Sequence, residues 1–359
     1  MQGASLSDPE STQVQKPLPV IFGCSRPSLT SLERQFFKAV NPFGFILFKR
    51  NCETPDQVRY LVRELRQAVG RDDVPVLIDQ EGGRVSRLQP PHWPQHPPAR
   101  LFGEMYEKDA EWGNEATQLY ARIVAHELVQ LGIQVNCAPV LDLFIEGASS
   151  AIGDRAISRK PAVVAALARV WAETFLLNGV LPVIKHFPGH GRVKTDPHHL
   201  LPVIDASIAE LESDDFVPFD LLKDLPIGMN SHAVFTAIDD KNPASLSPNI
   251  YELIRNQLGF DGLLLSDDIT MKALQGTPAE IATSVLQAGA DIILHCNGEL
   301  PEMEAIAAIL EPTSNESWAR WEHAKSMVNA PSPHYNPRED VARLDVLLGG
   351  LAYDEETET

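Results

Sequence analysis

Short apolar runs recur along the chain, and each is followed by a segment with the periodicity of an amphipathic helix. The runs are continuous rather than alternating, which is typical of parallel strands buried on both faces. Eight are present, at residues 17–23, 44–49, 75–80, 133–143, 181–187, 226–234, 261–267 and 291–296. Eight β/α units in 359 residues predict an α/β fold and favour a single (β/α)8 TIM barrel over a doubly wound sheet.

The segments between the runs carry helix-boundary signals. SLERQFFKAV has Arg34 three residues after Ser31, so this helix is predicted to lack a capping box. In TPDQVRYLVRELRQAVG, Thr54 is the predicted N-cap and Gly70 the predicted end of the helix. The stretch from SWARWEHAKSMVN onward predicts an additional helix outside the barrel.

The composition of the two chain ends sets the predicted domain limits. Residues 1–16 and the acidic residues 353–359 are polar and predicted to be flexible, which leaves residues 17–352 for the barrel domain. The N-terminus has neither the basic start nor the apolar run of a secretory signal, so we expect a cytoplasmic protein. No uninterrupted apolar run is long enough to span a bilayer.

The formal net charge of −19 limits the possible partners. A chain this acidic repels the phosphate backbone of nucleic acids and anionic membrane surfaces, so we expect neither as a partner. The four cysteines form no C-x-x-C pair, so no zinc ribbon or thioredoxin-type motif is predicted.

Polar residues gather at the carboxyl ends of the predicted strands, where the functional groups of a barrel enzyme lie. These residues are Asp79, Asp142, Lys185, His186, His232, Asp267, Asp268 and His295. Nearby positive charges would keep Asp267, the first carboxylate after the seventh strand, ionised as a nucleophile or electrostatic stabiliser. Asp268 fits a capping role for the next helix better.

Two further positions have a binding and a local interpretation. Asp79 opens DQEGGRVSR, where paired glycines suit close approach of the backbone to a ligand and the carboxylate suits sugar hydroxyls. The alternative for Asp79 is a local salt bridge to Arg84 or Arg87. Arg155 either clamps a polar ligand or pairs with Asp154.

The loop KHFPGHGRVKTDPHH, residues 185–199, contains a D-x-H element. Asp196 can hydrogen-bond one imidazole nitrogen of His198, which leaves the other nitrogen to move a proton. Glycoside hydrolysis needs such a proton donor together with a nucleophile when configuration is retained.

The same loop could instead bind a metal ion, because zinc takes three or four nitrogen, sulfur or oxygen ligands. The possible ligands are His186, His190, Asp196, His198 and His199. However, the H-x-x-x-H spacing lies in a loop interrupted by proline and glycine, and the first strand lacks the His-x-His of zinc amidohydrolase barrels. No metal ion or other cofactor is therefore expected.

At the level of motifs, the chain resembles the bacterial β-N-acetylglucosaminidases of glycoside hydrolase family 3. The matching segments are DQEGGRVSR (79–87), VNCAPVLDL (135–143), IGDRAI (152–157), KHFPGHG with DPH (185–198), MNSH (229–232) and GLLLSDDITM (262–271). They span most of the barrel in the order of the family, and KHFPGHG followed by D-x-H is the most specific of them.

The resemblance implies a metal-independent, retaining, single-barrel enzyme. Asp267 matches the family nucleophile, His198 matches an unusual acid/base on a mobile loop, and Asp196 matches the aspartate that tunes this histidine. The residues that match N-acetylglucosamine ligands are Asp79, Arg87, Arg155, Lys185 and His186. The cytoplasmic members remove N-acetylglucosamine from 1,6-anhydro-muropeptides in cell-wall recycling, so a small glycan substrate and a monomer are expected.

One departure from the family pattern leaves alternatives open. Pro197 stands where the family usually has serine, and it fixes the backbone between Asp196 and His198. His199, directly after His198, is a rival for the acid/base role. Phosphate could also replace water as the acceptor, which would make the enzyme a phosphorylase. A metal-dependent amidohydrolase and a sugar-binding barrel without turnover are the other classes considered.

Overall fold

Eight parallel strands close into a barrel in which each strand is hydrogen-bonded to its neighbours in the chain. The structure, a computed structural model, describes residues 16–194, 201–271, 274–332 and 334–349. The strands are β1 (Leu18–Gly23), β2 (Pro42–Leu47), β3 (Val76–Ile78), β4 (Val135–Asn136), β5 (Leu181–Phe187), β6 (Ile227–Asn230), β7 (Leu263–Asp268) and β8 (Ile292–His295). Each predicted run overlaps one of these strands, so the predicted (β/α)8 barrel is confirmed.

Helices connect the strands and pack against the barrel and one another. They are α1 (Ser31–Val40), α2 (Pro55–Val69), α3 (Ala99–Lys108), α4 (Ala110–Leu131), α5 (Pro161–Leu177), α6 (Ile208–Glu210), α7 (Val217–Leu221), α8 (Pro248–Glu252), α9 (Pro278–Ala288), α10 (Leu300–Ala307), α11 (Asn315–Ser326) and α12 (Pro337–Leu347). None of the helices in the described part of the chain is long and apolar enough to cross a membrane.

The caps of the first two helices test the boundary predictions. The prediction that α1 lacks a capping box is wrong, because its N-cap is Thr30 rather than Ser31. The Thr30 hydroxyl accepts the Glu33 N–H at 3.1 Å, and the Glu33 carboxylate accepts the Thr30 N–H at 2.8 Å. The predicted boundaries of α2 are confirmed: Thr54 caps its start, and Gly70 ends it with φ of 69°.

The fourth apolar run is longer than the strand it contains. Only Val135–Asn136 pairs regularly, whereas the run was predicted over residues 133–143. After β4 the chain stays beside β5 through a bridge between Val140 and Lys185, and the Leu141 N–H donates to the Lys185 carbonyl at 2.7 Å. This path brings Asp142, the next residue, to the end of β5.

A cluster of large aromatic residues packs helices α3, α4 and α5 together. Phe102, Tyr120 and Trp171 are fully buried, and the ring centroids of Tyr120 lie 4.9 Å from those of Phe102 and Trp171. The Tyr120 hydroxyl donates to the Glu81 carbonyl at 2.9 Å. The apolar core thus supports the segment that follows β3.

The chain ends bear on the predicted domain limits. Residues 353–359 and residues 1–15 lie outside the described part of the chain. Lys16, the first described residue, hydrogen-bonds the Asn315 side chain at the start of α11.

Candidate active site

The carboxyl ends of strands β3, β5 and β7 bring charged side chains together at one mouth of the barrel. Asp79 directly follows β3, Lys185 and His186 lie near the end of β5, and Asp267 lies near the end of β7. Lys185 is nearly fully buried, and its ammonium group lies 2.8 Å from Asp79 Oδ1. Parallel strands of a barrel end at the same rim, which explains why residues so distant in sequence meet.

Lys185 bridges two carboxylates at this mouth. Its Nζ also lies 2.6 Å from Glu81 Oε1, and Arg87 Nη2 lies 2.9 Å from the second oxygen of Asp79. The local salt bridge between Asp79 and Arg87 therefore forms, but Asp79 contacts Lys185 at the same time. The two oxygens of Asp79 thus receive donors from two different cations.

Glu81 anchors Arg155 and was not singled out in the sequence. Arg155 donates to both oxygens of Glu81, from Nε at 2.8 Å and from Nη2 at 2.9 Å. The predicted alternative pairing of Arg155 with Asp154 is wrong, because Asp154 accepts from Arg84 Nε at 2.9 Å instead. The signal for Glu81 in the sequence was its place two residues after Asp79, within the segment DQEGGRVSR.

The paired glycines of this segment serve packing inside the protein. Gly82 and Gly83 have φ values of 96° and 54° at the turn that joins the antiparallel segments Gln80–Gly82 and Val85–Ser86. A Cβ atom on Gly82 would lie 2.2 Å from the carbonyl oxygen of Pro97. The glycines thus let the hairpin lie against residues 97 and 98, whereas the sequence favoured close approach to a ligand.

Neighbouring cations keep the carboxylates of Asp79 and Glu81 ionised despite burial. Burial would raise the pKa of Asp79, but the Lys185 and Arg87 cations outweigh it and hold this pKa well below its usual range. Burial also disfavours ionised Glu81, yet the Arg155 and Lys185 cations lower its pKa from 4.5 to about 2. Neither group carries a proton at neutral pH, so neither can act there as a general acid.

The paired state of Glu81 predicts an acid-sensitive contribution to stability. Lowering its pKa from 4.5 to about 2 corresponds to about 3 kcal/mol of unfolding free energy. Because the folded-state pKa is depressed, this contribution is fully present above pH 4.5 and is lost as the pH falls toward 2. We expect Glu81→Gln to be less stable than wild type by about 3 kcal/mol at neutral pH.

Chemical denaturation across this pH range checks the expectation. The difference between wild type and Glu81→Gln should shrink as the pH falls from 4.5 toward 2. A matched control is Glu115→Gln, because Glu115 forms an exposed pair with Arg343 and such pairs contribute little. A stability difference for Glu81→Gln that does not change with pH would contradict the assigned ionisation.

Asp142 orients two histidines of the β5 loop. Its Oδ2 lies 2.6 Å from His186 Nδ1, and its Oδ1 accepts the His190 backbone N–H at 2.6 Å. Burial opposes ionisation of Asp142, but His186 outweighs it and lowers the pKa of this carboxyl. A carboxylate at Nδ1 holds the proton on that nitrogen, so Nε2 is the His186 atom available to a ligand.

His190 is a buried, neutral member of the same group. Its ring centroid lies 5.8 Å from that of His186, and burial lowers its pKa to about 4 although Asp142 opposes this effect. Within the described residues, its Nδ1 has no hydrogen-bond partner. From the sequence, His190 was considered only as a possible metal ligand.

Asp267 presents a half-buried carboxylate to the mouth. Its Oδ1 accepts the Asp268 N–H at 2.7 Å. Burial would raise the pKa of Asp267, but the neighbouring His232 and His186, the Asp268 N–H and Lys185 together lower it. Among the described residues Oδ2 accepts no hydrogen bond, so this oxygen is the one free to contact a ligand.

The adjacent Asp268 stabilises the turn after β7. Its carboxylate accepts from the Thr270 N–H at 3.0 Å, from the Thr270 hydroxyl at 2.7 Å and from the Cys296 N–H at 3.2 Å. The next helix, α9, is capped instead by Thr277. Asp268 therefore has a structural role, but not as the helix cap that was predicted.

His295 does not join the site. It is fully buried at the end of β8, and its Nε2 lies 2.9 Å from Glu302 of α10. Its ring also packs edge-on against Phe22. The expectation that His295 belongs to the polar mouth is wrong, because this side chain contacts the helix layer.

The β5 loop contains two predicted catalytic residues and several predicted alternative metal ligands, and the structure describes only part of this loop. Asp196 and His198 lie in residues 195–200, outside the described part of the chain. Within the described ranges, no group of three histidine, cysteine or acidic side chains is arranged to hold a metal ion. The four cysteines are free thiols.

A cavity of about 230 Å³ lies beside this group of residues. It is lined by Gly191 and by the segment that runs from Leu143 to Gly153. Arg84 holds this segment by donating to the carbonyls of Ala151 and Ile152. Leu143 and Gly191 directly follow Asp142 and His190 in the chain, so the cavity lies next to the residues that carry these two side chains.

Comparisons with known proteins agree on one family. The model of the glycosyl hydrolase family 3 N terminal domain matches residues 29–327. A β-hexosaminidase of Chromobacterium violaceum is 36% identical over 299 residues, or 82% of each chain. A β-hexosaminidase of Bordetella avium is 36% identical over 286 residues, or 78% of this chain and 81% of the relative.

A solved structure extends the similarity to three dimensions. NagZ from Neisseria gonorrhoeae, in complex with N-trifluoroacetyl-D-glucosamine, matches the barrel with a TM-score of 0.82 at 29% identity. The match covers 93% of this chain and 98% of that chain.

Proposed function

The chain belongs to glycosyl hydrolase family 3 and is a glycoside hydrolase, and we propose that it is a retaining exo-β-N-acetylglucosaminidase. In this proposal Asp267 is the nucleophile, and His198, tuned by Asp196, is the acid/base. Asp267 Oδ2 attacks the anomeric carbon while the bond to the leaving oxygen breaks and His198 protonates that oxygen. Water then attacks the glycosyl-enzyme, His198 takes its proton, and Asp267 is released.

The observation that carries this proposal is the ionisation of three carboxylates at the mouth. Asp79, Glu81 and Asp142 are each paired with a cation or a histidine, and the pKa of each is lowered. None of them is a proton donor at neutral pH, whereas glycoside cleavage needs one. Retaining cleavage needs a proton donor and an ionised nucleophile, and a histidine acid beside ionised Asp267 supplies both.

The sugar-binding residues of the proposal are Asp79, Arg87, Arg155, Lys185 and His186. Asp79 and Glu81 fix the positions of the three cations, so hydroxyl and acetamido groups would meet donors that are already oriented. The solved relative that holds N-trifluoroacetyl-D-glucosamine supports an N-acylated glucosamine as the bound sugar.

The natural substrate proposed is the N-acetylglucosamine-containing 1,6-anhydro-muropeptide of cell-wall recycling, acted on by a cytoplasmic monomer. The cavity beside the mouth offers room for groups beyond the terminal sugar. Comparing kcat/KM for N-acetylglucosaminyl-1,6-anhydro-N-acetylmuramic acid with that for chitobiose tests this finer assignment. Equal or lower values for the anhydro substrate would count against a recycling role.

Release of p-nitrophenol tests the proposed activity itself. The enzyme should cleave the β-N-acetylglucosaminide and leave the β-glucoside untouched, with and without EDTA. Loss of activity in EDTA with recovery on adding zinc would favour a metal-dependent amidohydrolase. Binding of N-acetylglucosamine without turnover would favour a sugar-binding barrel, and a glycosyl phosphate product in phosphate buffer would indicate a phosphorylase.

A further inference from the structure

Strands β6 and β7 separate at the mouth of the barrel, and His232 spans the opening. Backbone pairing between the two strands ends at Met229 and Leu265, while β7 continues beside β8 to Asp268. His232 lies two residues after the end of β6, and its Nε2 lies 2.9 Å from the carbonyl oxygen of Asp268. A side chain thus links the two strand ends where their backbone ladder has stopped.

Both nitrogens of this ring have a partner, which fixes its orientation. A carbonyl oxygen only accepts, so Nε2 must carry the proton that is donated to Asp268. Nδ1 lies 2.7 Å from the Ser245 hydroxyl, which can donate to it. His232 and Ser245 are both buried, and with these two hydrogen bonds both ring nitrogens are satisfied in one orientation.

The contact reaches the carboxylate of Asp267 through Asp268. The Asp268 N–H donates to Asp267 Oδ1 at 2.7 Å, and the following peptide is held by the Ile269 N–H, which donates to Leu294 at 2.9 Å. The His232 bond fixes the carbonyl of that same peptide. The backbone that orients Asp267 is therefore tied to β8 on one side and to β6, through His232, on the other.

We propose that His232 is a positioning residue for the nucleophile, holding Asp267 in its attacking orientation through the Asp268 backbone. This role rests on the proposed function of Asp267. A misplacement of about 1 Å can lower a rate about 100-fold without affecting groups that only bind. The sugar ligands Asp79, Arg87 and Lys185 contact one another rather than His232, so binding should be independent of this ring.

A pair of amide variants separates positioning from simple core packing. In His232→Gln the side-chain NH₂ can take the place of imidazole Nε2, whereas in His232→Asn the shorter side chain reaches only the position of Nδ1. We expect His232→Asn to lower kcat by about 100-fold, while His232→Gln recovers most of the activity. The inhibition constant of N-acetylglucosamine should stay near the wild-type value in both variants.

A third variant keeps the test independent of folding in the first two. Ser245→Ala removes the hydrogen-bond partner of Nδ1 and lets the ring turn, so kcat should fall by about 10-fold through loss of orientation. The inhibition constant of N-acetylglucosamine should again be unchanged.

Each outcome has a defined meaning. Equal losses in the Gln and Asn variants, or inhibition constants that rise in step with the fall in kcat, would overturn the positioning role while wild-type turnover still supported the proposed function. Full activity of Ser245→Ala would overturn it as well. Absence of N-acetylglucosaminidase activity in the wild-type enzyme would refute the proposed function, and the role of His232 with it.

Discussion

Replacing Asp267 with alanine is expected to lower kcat by about 10⁵-fold, because the covalent step loses its nucleophile. The affinity for N-acetylglucosamine should remain close to wild type, since the proposed sugar ligands are held by one another. Asp267 belongs to none of the ion pairs around Lys185. Steady-state turnover of the p-nitrophenyl glycoside and calorimetric binding of the free sugar measure the two quantities.

Two controls sharpen this result. Asp268→Ala removes the neighbouring carboxylate, whose hydrogen bonds go to Thr270 and Cys296, so it should reduce thermal stability more than kcat. In Asp267→Ala, added azide should restore turnover by attacking the anomeric carbon directly, which gives the α-glycosyl azide. Near-normal turnover in Asp267→Ala without azide would remove this residue as the nucleophile.

Replacing His198 with alanine is expected to separate substrates by their leaving groups. A sugar leaving group needs protonation, so its kcat/KM should fall by about 10³-fold. p-Nitrophenolate leaves without much protonation, so kcat/KM for the aryl glycoside should change by less than about 10-fold. Measuring kcat/KM on both substrates isolates the bond-breaking step.

Two further measurements, azide trapping and a control variant at His199, test the assignment of His198 as the acid/base. In His198→Ala, azide should intercept the glycosyl-enzyme and give the β-glycosyl azide, opposite in configuration to the product from Asp267→Ala. His199→Ala serves as the matched control and should have a mild effect on both substrates. Equal losses on the two substrates in His198→Ala, or a severe loss in His199→Ala, would move the acid/base assignment away from His198.

The barrel was predictable because its signal is repeated and physically simple. Strands buried on both faces need continuous apolar runs, and each of the eight runs overlaps a strand. Lys185 and Asp79 followed from the same reasoning, since polar residues at strand ends share one rim. Thr54 and Gly70 at the ends of α2 also follow from local chemistry alone.

The sequence failed where partner choice depends on tertiary structure. Glu81 lies in a hairpin rather than at a strand end, and nothing local shows that Arg155, far along the chain, turns toward it rather than toward Asp154. His295 ends a strand with apolar residues on both faces, so the pattern could not show which face it occupies. The link from His232 to Asp268 depends on where two strands separate.

Pro197 and the tuning of His198 by Asp196 stay predictions from the sequence, because both lie outside the described residues. Asp267, the proposed nucleophile, lies within the described residues. Among the described residues no donor reaches its Oδ2, and its lowered pKa and backbone support from Asp268 also suit a nucleophile.

Covalent trapping tests the central claim most directly. A 5-fluoro-N-acetylglucosaminyl fluoride has a reactive leaving group but slows hydrolysis of the glycosyl-enzyme, so the intermediate accumulates. Peptide mass spectrometry should find the sugar attached to Asp267. Attachment to another carboxylate, such as Asp79 or Glu81, would contradict the assignment of the nucleophile, and turnover of the reagent with inverted configuration would contradict the retaining mechanism.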